Sequence, residues 1–245
     1  MIKFFRKIRQ QLITQGKLTK YLFYAIGEIV LVVIGILIAL QINNNNETKK
    51  TNQRLEIYKQ SLITELNEDL KTLNTLDSLC DVYIKSINNY VDYYNTKNPD
   101  INVLVQKRDS VQTQKNTFNT RTYTIEDLIT TGNLSLFSTL IKNAILQLKD
   151  TQDLNEFYEK KTVDFVIKKE EIFEDNIDQL FIEGLSQKEH ISVKNWKYNL
   201  SSKQYRLFNN VVAKAFEVFN YQIVVHERIS KDTKALLELL EEDIK

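Results

Sequence analysis

Glu28 is the residue of this sequence whose position most clearly requires a polar partner. It is the one ionisable side chain in the apolar run Tyr21–Ile42, and it follows Tyr24 by about one helical turn. A carboxyl group in lipid is costly, so such residues usually face protein, water or a partner helix. The sequence therefore predicts an intramembrane polar contact that involves Glu28 and Tyr24.

Three interpretations of Glu28 stay open. The carboxyl group could be protonated, bent toward the interface or bonded to Tyr24, with no role beyond assembly. It could contact a partner span, identical or different, because small residues near the same helical face allow close packing. It could also relay protons, as in stator-like subunits with one span. The predicted helix-packing face consists of Gly27, Gly35 and Ala39.

The remaining titratable residues give no recognisable catalytic or metal-binding pattern. His190 and His226 lie far apart, and neither has a metal-ligand spacing. An acidic stripe with helical spacing could attract cations, but nearby lysines favour an ordinary solvated helix face. The stripe consists of Glu170, Glu174 and Asp178. Phosphate loops, nucleophile elbows and Cys/His clusters are absent from the sequence. We therefore predict a non-enzymatic protein without a cofactor.

Cys80 and a group of tyrosines share the helical spacing of the apolar residues around them. Cys80 follows that spacing, which predicts a buried free thiol. The tyrosines could stack on a ligand, but aromatic residues at helical spacing are more often core or interface residues. They are Tyr83, Tyr90, Tyr93 and Tyr94.

The apolar run Tyr21–Ile42 has the length of a transmembrane helix. At ~1.5 Å per residue it extends roughly 33 Å, enough to cross a hydrocarbon core of ~30 Å. A cleaved signal peptide is the alternative. The run is longer than an h-region of about 7–15 residues, and IALQINNNN lacks a small-x-small cleavage site. The sequence favours an uncleaved anchor at residues 19–46.

Basic residues before the run predict its orientation. Residues 1–20 contain six Lys or Arg residues and no acidic residue. The positive-inside rule places residues 1–18 in the cytoplasm and residues 47–245 outside it, in the periplasm. Residues 1–15 also form an amphipathic pattern suited to the anionic inner leaflet. The predicted lipid contacts are Lys3, Arg6, Lys7 and Arg9.

The segment after the run is predicted to be an antiparallel bundle of long helices. The whole chain has only five Gly and one Pro, too few for the turns of a strand-rich domain. Beyond Asn46 it carries 27 basic and 31 acidic residues, which argues against nucleic acid as a partner. Apolar spacing predicts a helix over Leu55–Tyr94 that can be continuous with the span.

Shorter signals place the other elements. Residues 101–122 are predicted to be a loop with a short helix. The pattern Thr124-x-x-Asp127 resembles a capping box, and Gly132 fits a helix stop. Apolar spacing resumes from Leu136 to Leu180, with a bend or a split expected at residues 149–153 and a stop at Gly184. Ser201 or Ser202 is expected to cap the last helix.

Two stretches resemble a known family. The run MIKFFRKIRQQL followed by KYLFYAIGEIVLVVIGILIALQINN, and the later segment YTIEDLITTGNLSLF, are similar to an uncharacterised family of single-span membrane proteins of Bacteroidota. That family has a tryptophan where this chain has Asn45, so an interfacial anchor is missing here. The resemblance implies the topology and transfers no activity.

These observations predict a single-pass inner-membrane protein with a periplasmic helical bundle. We expect a scaffold, an assembly factor or an accessory subunit of a membrane complex, either as a homo-oligomer or with another membrane protein. The alternative is a sensor or a proton-coupled, stator-like subunit that uses Glu28.

Overall fold

The computed structural model describes residues 18–182, 190–191 and 196–243, and these ranges contain helices and no strand. The chain divides into two compact units between Ile57 and Tyr58, inside the first helix. The predicted all-α architecture, with a long apolar N-terminal helix followed by a helical bundle, is confirmed. The elements are α1 (Leu18–Tyr94), α2 (Ile101–Asp109), α3 (Tyr123–Thr130), a short 3₁₀ helix (Asn133–Leu136), α4 (Thr139–Glu174), α5 (Gln179–Ile182) and α6 (Lys203–Glu242).

The N-terminal part of α1 is apolar on all sides and exposed. Its large apolar side chains from Leu22 to Ile42 are between 46% and 73% exposed. A helix with no polar face belongs either in a protein core or in a membrane. Because these side chains are not buried in the described structure, and the helix is long and apolar enough to cross a membrane, this part of α1 is a candidate membrane span.

The asparagine-rich stretch after the span does not interrupt α1. Asparagine has poor helix propensity, but the side chains here form hydrogen bonds over four residues while the backbone stays helical. Gln41 Nε2 donates to Asn45 Oδ1 at 3.3 Å, and the Thr48 hydroxyl donates to the Asn44 carbonyl at 2.9 Å. The predicted continuity of the span with the following helix is confirmed, since α1 has 77 residues.

The later part of α1 supplies one wall of the core. Leu62, Leu66, Leu73, Cys80 and Ile87 are at most 4% exposed, and steps of four and seven residues keep them on one face of the helix. Burying a leucine or isoleucine side chain stabilises the fold by about 1.5–3 kcal/mol. Of these residues, Cys80 and Ile87 belong to a core cluster with Val166 of α4 and with Val212 and Phe219 of α6.

Helix α4 runs unbroken through residues 149–153, so the polar stretch there does not split the helix. The polar side chains there form hydrogen bonds while the backbone stays helical. Lys149 Nζ donates to Asp153 Oδ1 at 2.5 Å, and the Thr151 hydroxyl donates to Asp232 of α6 at 2.8 Å. The helix ends at Glu174, and the predicted stop at Gly184 lies outside the described residues.

The helix ends confirm two of the predicted signals and correct a third. Ser202 Oγ accepts the Tyr205 N–H at 3.1 Å and caps α6, and Gly132 has the left-handed φ of 74° that favours glycine. The capping box at Thr124 is wrong, because α3 already begins at Tyr123. Glu65 of α1 instead accepts both the Thr124 N–H and its hydroxyl, at 3.0 and 2.8 Å.

The irregular segment of residues 110–122 is held by side chains of the long helices. Its backbone N–H groups at Gln112, Phe118 and Arg121 donate to Ser86, Glu159 and Asp69. A buried backbone without regular structure needs such partners. The segment therefore brings backbone donors against α1 and α4, where the buried carboxylates lie.

Candidate functional site: a buried polar network

Glu159 is a carboxylate inside the helical unit. It lies on α4 and is 2% exposed. Its oxygens accept the Phe118 N–H at 3.2 and 3.3 Å, Asn155 Nδ2 at 3.3 Å and Gln222 Nε2 at 2.7 Å. These donors compensate for the loss of water around the charge. The carboxylate thus joins α4, α6 and the segment of residues 110–122.

His226 of α6 is fully buried beside Glu159 and contacts a second carboxylate. Its Nδ1 lies 2.6 Å from Asp77 Oδ1, and its Nε2 lies 4.0 Å from Glu159 Oε1. An ionised carboxylate only accepts hydrogen bonds, so with Asp77 ionised this contact requires a hydrogen on Nδ1. Nε2 has no hydrogen-bond partner in the described structure. The imidazole therefore stands between Asp77, which is partly exposed, and Glu159, which is not.

Gln222 links the network to α1 and to the irregular segment. Its Nε2 donates to Glu159 and, at 2.8 Å, to the Asn116 carbonyl. The Cys80 thiol donates to its Oε1 at 3.7 Å. Asp77, Cys80, Asn155, Glu159, Gln222 and His226 are called the buried polar network below.

Burial is the largest cause of the pKa shifts of Glu159 and Cys80 in the network. The pKa of Glu159 is raised by burial, although the bonds from Gln222, Phe118 and Asn155 and the charge of His226 oppose the shift. The pKa of Cys80 is raised to about 11, first by burial and then by the charges of Asp77, Glu159 and Asp81. The thiol is therefore a weak nucleophile, and Glu159 binds its proton more tightly than an exposed glutamate does.

A second buried carboxylate lies two turns before Asp77 on α1. Asp69 is fully buried and accepts the Thr120 hydroxyl at 2.7 Å and the Arg121 N–H at 2.9 Å. Burial raises its pKa despite these bonds. Among the described residues, no group of three or more His, Cys, Asp and Glu side chains is arranged to hold a metal ion. The arrangement is suited to holding protons and fixing helix positions.

Residues 28–164, more than half of the chain, match DUF6090, a family of unknown function. The chain belongs to this family. The match begins at Glu28 and includes Asp69, Asp77 and Glu159, but it ends before α6. No curated protein and no solved structure matches the chain.

The residues predicted to form an intramembrane site lie on the exposed part of α1. Glu28 is partly buried, and the side chain of Tyr24 lies outside the described residues. A Cβ atom added at Gly27 or Gly35 would meet no heavy atom of the described residues within 4 Å. Ala39 is exposed on the same helix. Their roles stay predictions.

The other candidates are distributed as follows. Cys80 is buried and free, as predicted. Tyr83 and Tyr90 are buried core residues, and His190 is exposed. The prediction of a solvated acidic stripe is wrong for Glu170, whose carboxylate is partly buried and pairs with Lys115.

Sequence reasoning missed Glu159 as a site residue, although a signal was present. The buried positions of α4 continue from Leu148 through Gln152, Asn155 and Glu159 to Val166, in steps of three, four and seven. Polar residues therefore occupy positions that the helical period assigns to the core. On α6, Gln222 and His226 do the same one turn apart. The signal in the sequence was therefore the presence of polar side chains at helical positions that otherwise hold core residues.

Proposed function

We propose that this member of DUF6090 is a non-enzymatic, membrane-anchored helical module. It serves a membrane complex as a scaffold, an assembly factor or an accessory subunit. The observation that carries the proposal is α1 itself: one helix has exposed apolar side chains from Leu22 to Ile42 and buried core residues from Leu62 to Tyr90. Anchor and bundle thus share one secondary-structure element.

The orientation is part of the proposal. Six basic residues precede the apolar part of α1, which supports a cytoplasmic N-terminus, a single pass through the inner membrane and a periplasmic bundle. The N-terminal signature supports an origin in Bacteroidota. Alkaline phosphatase fused after Asn46 should be active, and a fluorescent protein that matures only in the cytoplasm should stay dark there. The reverse result would reject the orientation.

The partner contact is proposed to use the face of Glu28, Gly35 and Ala39. In co-purification from native membranes, Glu28→Gln should retain the partner because an amide still forms hydrogen bonds, and Glu28→Leu should lose it. Gly35→Leu should also lose it by blocking close approach. The added side chain meets no atom of the described residues within 4 Å, so loss of the partner would indicate a contact with another helix. An intact complex in all three variants would reject this contact.

A second candidate function, a proton-responsive sensor, is favoured by the geometry around His226. A neutral imidazole with its hydrogen on Nδ1 would place an unprotonated Nε2 4.0 Å from the Glu159 carboxylate, and two acceptors at that distance repel each other. That repulsion is relieved if one proton resides on either Nε2 or Glu159. The pair would then hold a proton whose loss weakens the contact between α4 and α6.

The sensor can be tested on the full chain because it has only two histidines. With His190→Gln, the remaining imidazole signals in nitrogen NMR belong to His226. At a fixed pH, Glu159→Gln should change the nitrogen chemical shifts of His226, whereas Glu156→Gln, on the same helix and exposed, should leave them unchanged. Identical chemical shifts in both variants would show that Glu159 and His226 share no proton.

A further inference from the structure

A cavity lies between α1 and α6, and two of the tyrosines with helical spacing, Tyr90 and Tyr94, line it. Its volume is about 400 Å³, within the range of small-molecule sites. Each of the two helices supplies one wall. Ile87 and Val212 are buried beneath the cavity, whereas Tyr94 and Phe216 are 36% and 37% exposed at its mouth. We call it the apolar cavity.

A second cavity, of about 440 Å³, adjoins the first at the start of α6. Tyr94 and Asn209 line both cavities. The rest of the second cavity is lined by Leu200, two serines, Lys203 and Arg206. We call it the polar cavity. A molecule that occupies both cavities therefore meets apolar side chains at one end and basic groups at the other.

The basic groups of the polar cavity have no acidic neighbour on α6. Residues 199–216 contain no Asp or Glu, and Glu217 lies eleven residues after Arg206, roughly 16 Å along the helix. Lys203 and Arg206 are exposed, and neither forms an ion pair within the described part of the chain. Their charge is therefore available to an anion.

Acidic residues of the neighbouring helices do not offset this charge. Among the described residues that line the two cavities, none is acidic. Asp109 of α2 is held by Lys197 at 2.8 Å and by Arg108 at 2.6 Å. Asp92 of α1 precedes Tyr94 by two residues, which places it about 200° around the helix and away from the polar cavity.

Asn209 supplies a hydrogen-bond donor where the two cavities meet. The Tyr90 hydroxyl donates to its Oδ1 at 2.6 Å and lies 3.3 Å from the Tyr205 hydroxyl. Because the protein engages the amide oxygen, Nδ2 is the part of Asn209 that is left to donate to a ligand. An oxygen atom between an apolar body and an anionic head would accept that hydrogen bond.

We propose that the apolar and polar cavities together bind a small amphiphile with an anionic head, of the fatty-acid type. Its chain occupies the apolar cavity, and its head pairs with Lys203 and Arg206 beside Asn209. A cationic amphiphile would meet two like charges there. The proposal adds a ligand to the helical bundle, and it does not depend on the partner contact at the Glu28 face.

The test is equilibrium dialysis of the full chain in nanodiscs of zwitterionic lipid, with empty nanodiscs measuring the share of each probe that dissolves in lipid. Decanoate and decyl phosphate carry the same chain with different anionic heads. At least one of them should bind saturably, and the tighter one identifies the head group. Decylammonium, which has the same chain and the opposite charge, should bind at least about tenfold more weakly.

Acetate tests the contribution of the chain. It keeps a carboxylate but buries almost no apolar surface, so it should bind at least about tenfold more weakly than decanoate or decyl phosphate. If neither of these two probes binds saturably, or if decylammonium or acetate binds as tightly, the proposal is overturned.

Two tryptophan variants assign the chain to the apolar cavity. Ala213 is an exposed residue of its α6 wall, so Ala213→Trp should fill the cavity without changing the core and weaken binding at least about tenfold. Val224→Trp adds the same ring at an exposed position of α6 that lines neither cavity, and should leave the affinity unchanged. Equal affinities in the two variants would contradict this assignment.

Charge variants assign the head to the polar cavity. Lys203→Glu with Arg206→Glu should weaken binding of the anionic probe at least about tenfold. Lys160→Glu with Lys161→Glu changes the net charge equally at exposed positions of α4 and should have no effect. The same loss in both pairs would reduce the effect to net charge and overturn the proposal. Absence of binding while the partner still co-purifies would reject the ligand site and leave the proposed function in place.

Discussion

Two regions of the helical unit join α1, α4 and α6 by different means. One is an apolar cluster in which Ile87 and Tyr90 of α1 pack with Val166 of α4 and with Val212 and Phe219 of α6. The other is the buried polar network, where Asp77, Glu159, Gln222 and His226 connect the same three helices by polar contacts. Cys80 belongs to both, because it packs in the cluster and donates to Gln222.

The two regions differ in how well they tolerate a shift of a helix or a change of side chain. Apolar contacts are non-directional, so a shift or a similar side chain changes their energy gradually. A buried hydrogen-bonded carboxylate loses most of its compensation when one donor moves away. We infer that the apolar cluster supplies most of the stability, and that the network restricts the three helices to one relative position and makes that position sensitive to protonation.

The largest expected effect is that of breaking the network at its centre. Glu159→Ala should lower the free energy of unfolding by about 3–5 kcal/mol, because Gln222, Asn155 and the Phe118 N–H lose their acceptor inside the core. The full chain in detergent, unfolded with denaturant, gives the value. Glu156→Ala, exposed on the same helix, should change it by less than about 0.5 kcal/mol. A loss at Glu159 no larger than that of the control would contradict the distinction between the two regions.

Truncating a side chain of the apolar cluster should lower the free energy of unfolding somewhat less than Glu159→Ala does. Ile87→Ala leaves a cavity beside Tyr90 and should lower the free energy of unfolding by about 2–4 kcal/mol. Its effect should be the same at mildly acidic and mildly basic pH, since no titratable partner is lost. Val82→Ala, on the exposed side of α1, is the control. A pH-dependent loss at Ile87 would mean that the two regions are not separable.

The pH dependence of stability should come from the network. The folded-state pKa of Glu159 is raised, so the folded chain binds more protons than the unfolded chain above the ordinary carboxyl value of 4.5. This contribution is complete below that value and is lost as the pH rises through the folded-state pKa. A tenfold difference in proton affinity between the folded and unfolded chains corresponds to about 1.4 kcal/mol. Asp69 contributes with the same sign.

Glu159→Gln removes the contribution of Glu159 to the pH dependence of stability. The slope of unfolding free energy against pH should become shallower above the ordinary carboxyl value of 4.5, with a residual slope from Asp69. Denaturant midpoints measured from that pH to mildly basic conditions test the change, and Glu156→Gln should retain the original slope. An unchanged slope after Glu159→Gln would remove the network as the source of pH sensitivity.

The smallest expected effect concerns Cys80, where the two regions meet. With a pKa of about 11 against an ordinary value of 9.0, its thiolate fraction near neutral pH is about a hundredfold lower. Labelling by a membrane-impermeant maleimide should therefore be slow until the chain unfolds. The matched control is Cys80→Ser with Ser78→Cys, which moves the thiol to an exposed position of the same helix. Rapid labelling of Cys80, or a disulfide-linked dimer, would contradict its burial.

Part of the site could be predicted from local spacing, and part could not. Helical spacing predicted that Cys80 and Tyr83 would be buried, because the period of one helix fixes which side faces the core. The same spacing assigned Glu159 a core position, but its acceptance of the Phe118 N–H depends on a segment 41 residues earlier. The pairing of Glu170 with Lys115 was missed for the same reason, since the two residues are 55 positions apart.

The sequence by itself determined the candidate span, the all-helical class and the caps at Gly132 and Ser202, because these follow from local composition, period and backbone preference. Tertiary structure alone decided that Glu65 of α1 would satisfy Thr124 at the start of α3. It also decided that His226 would stand between Asp77 and Glu159. Residues from three helices meet there only after the helices pack, and a one-dimensional pattern contains no distance between them.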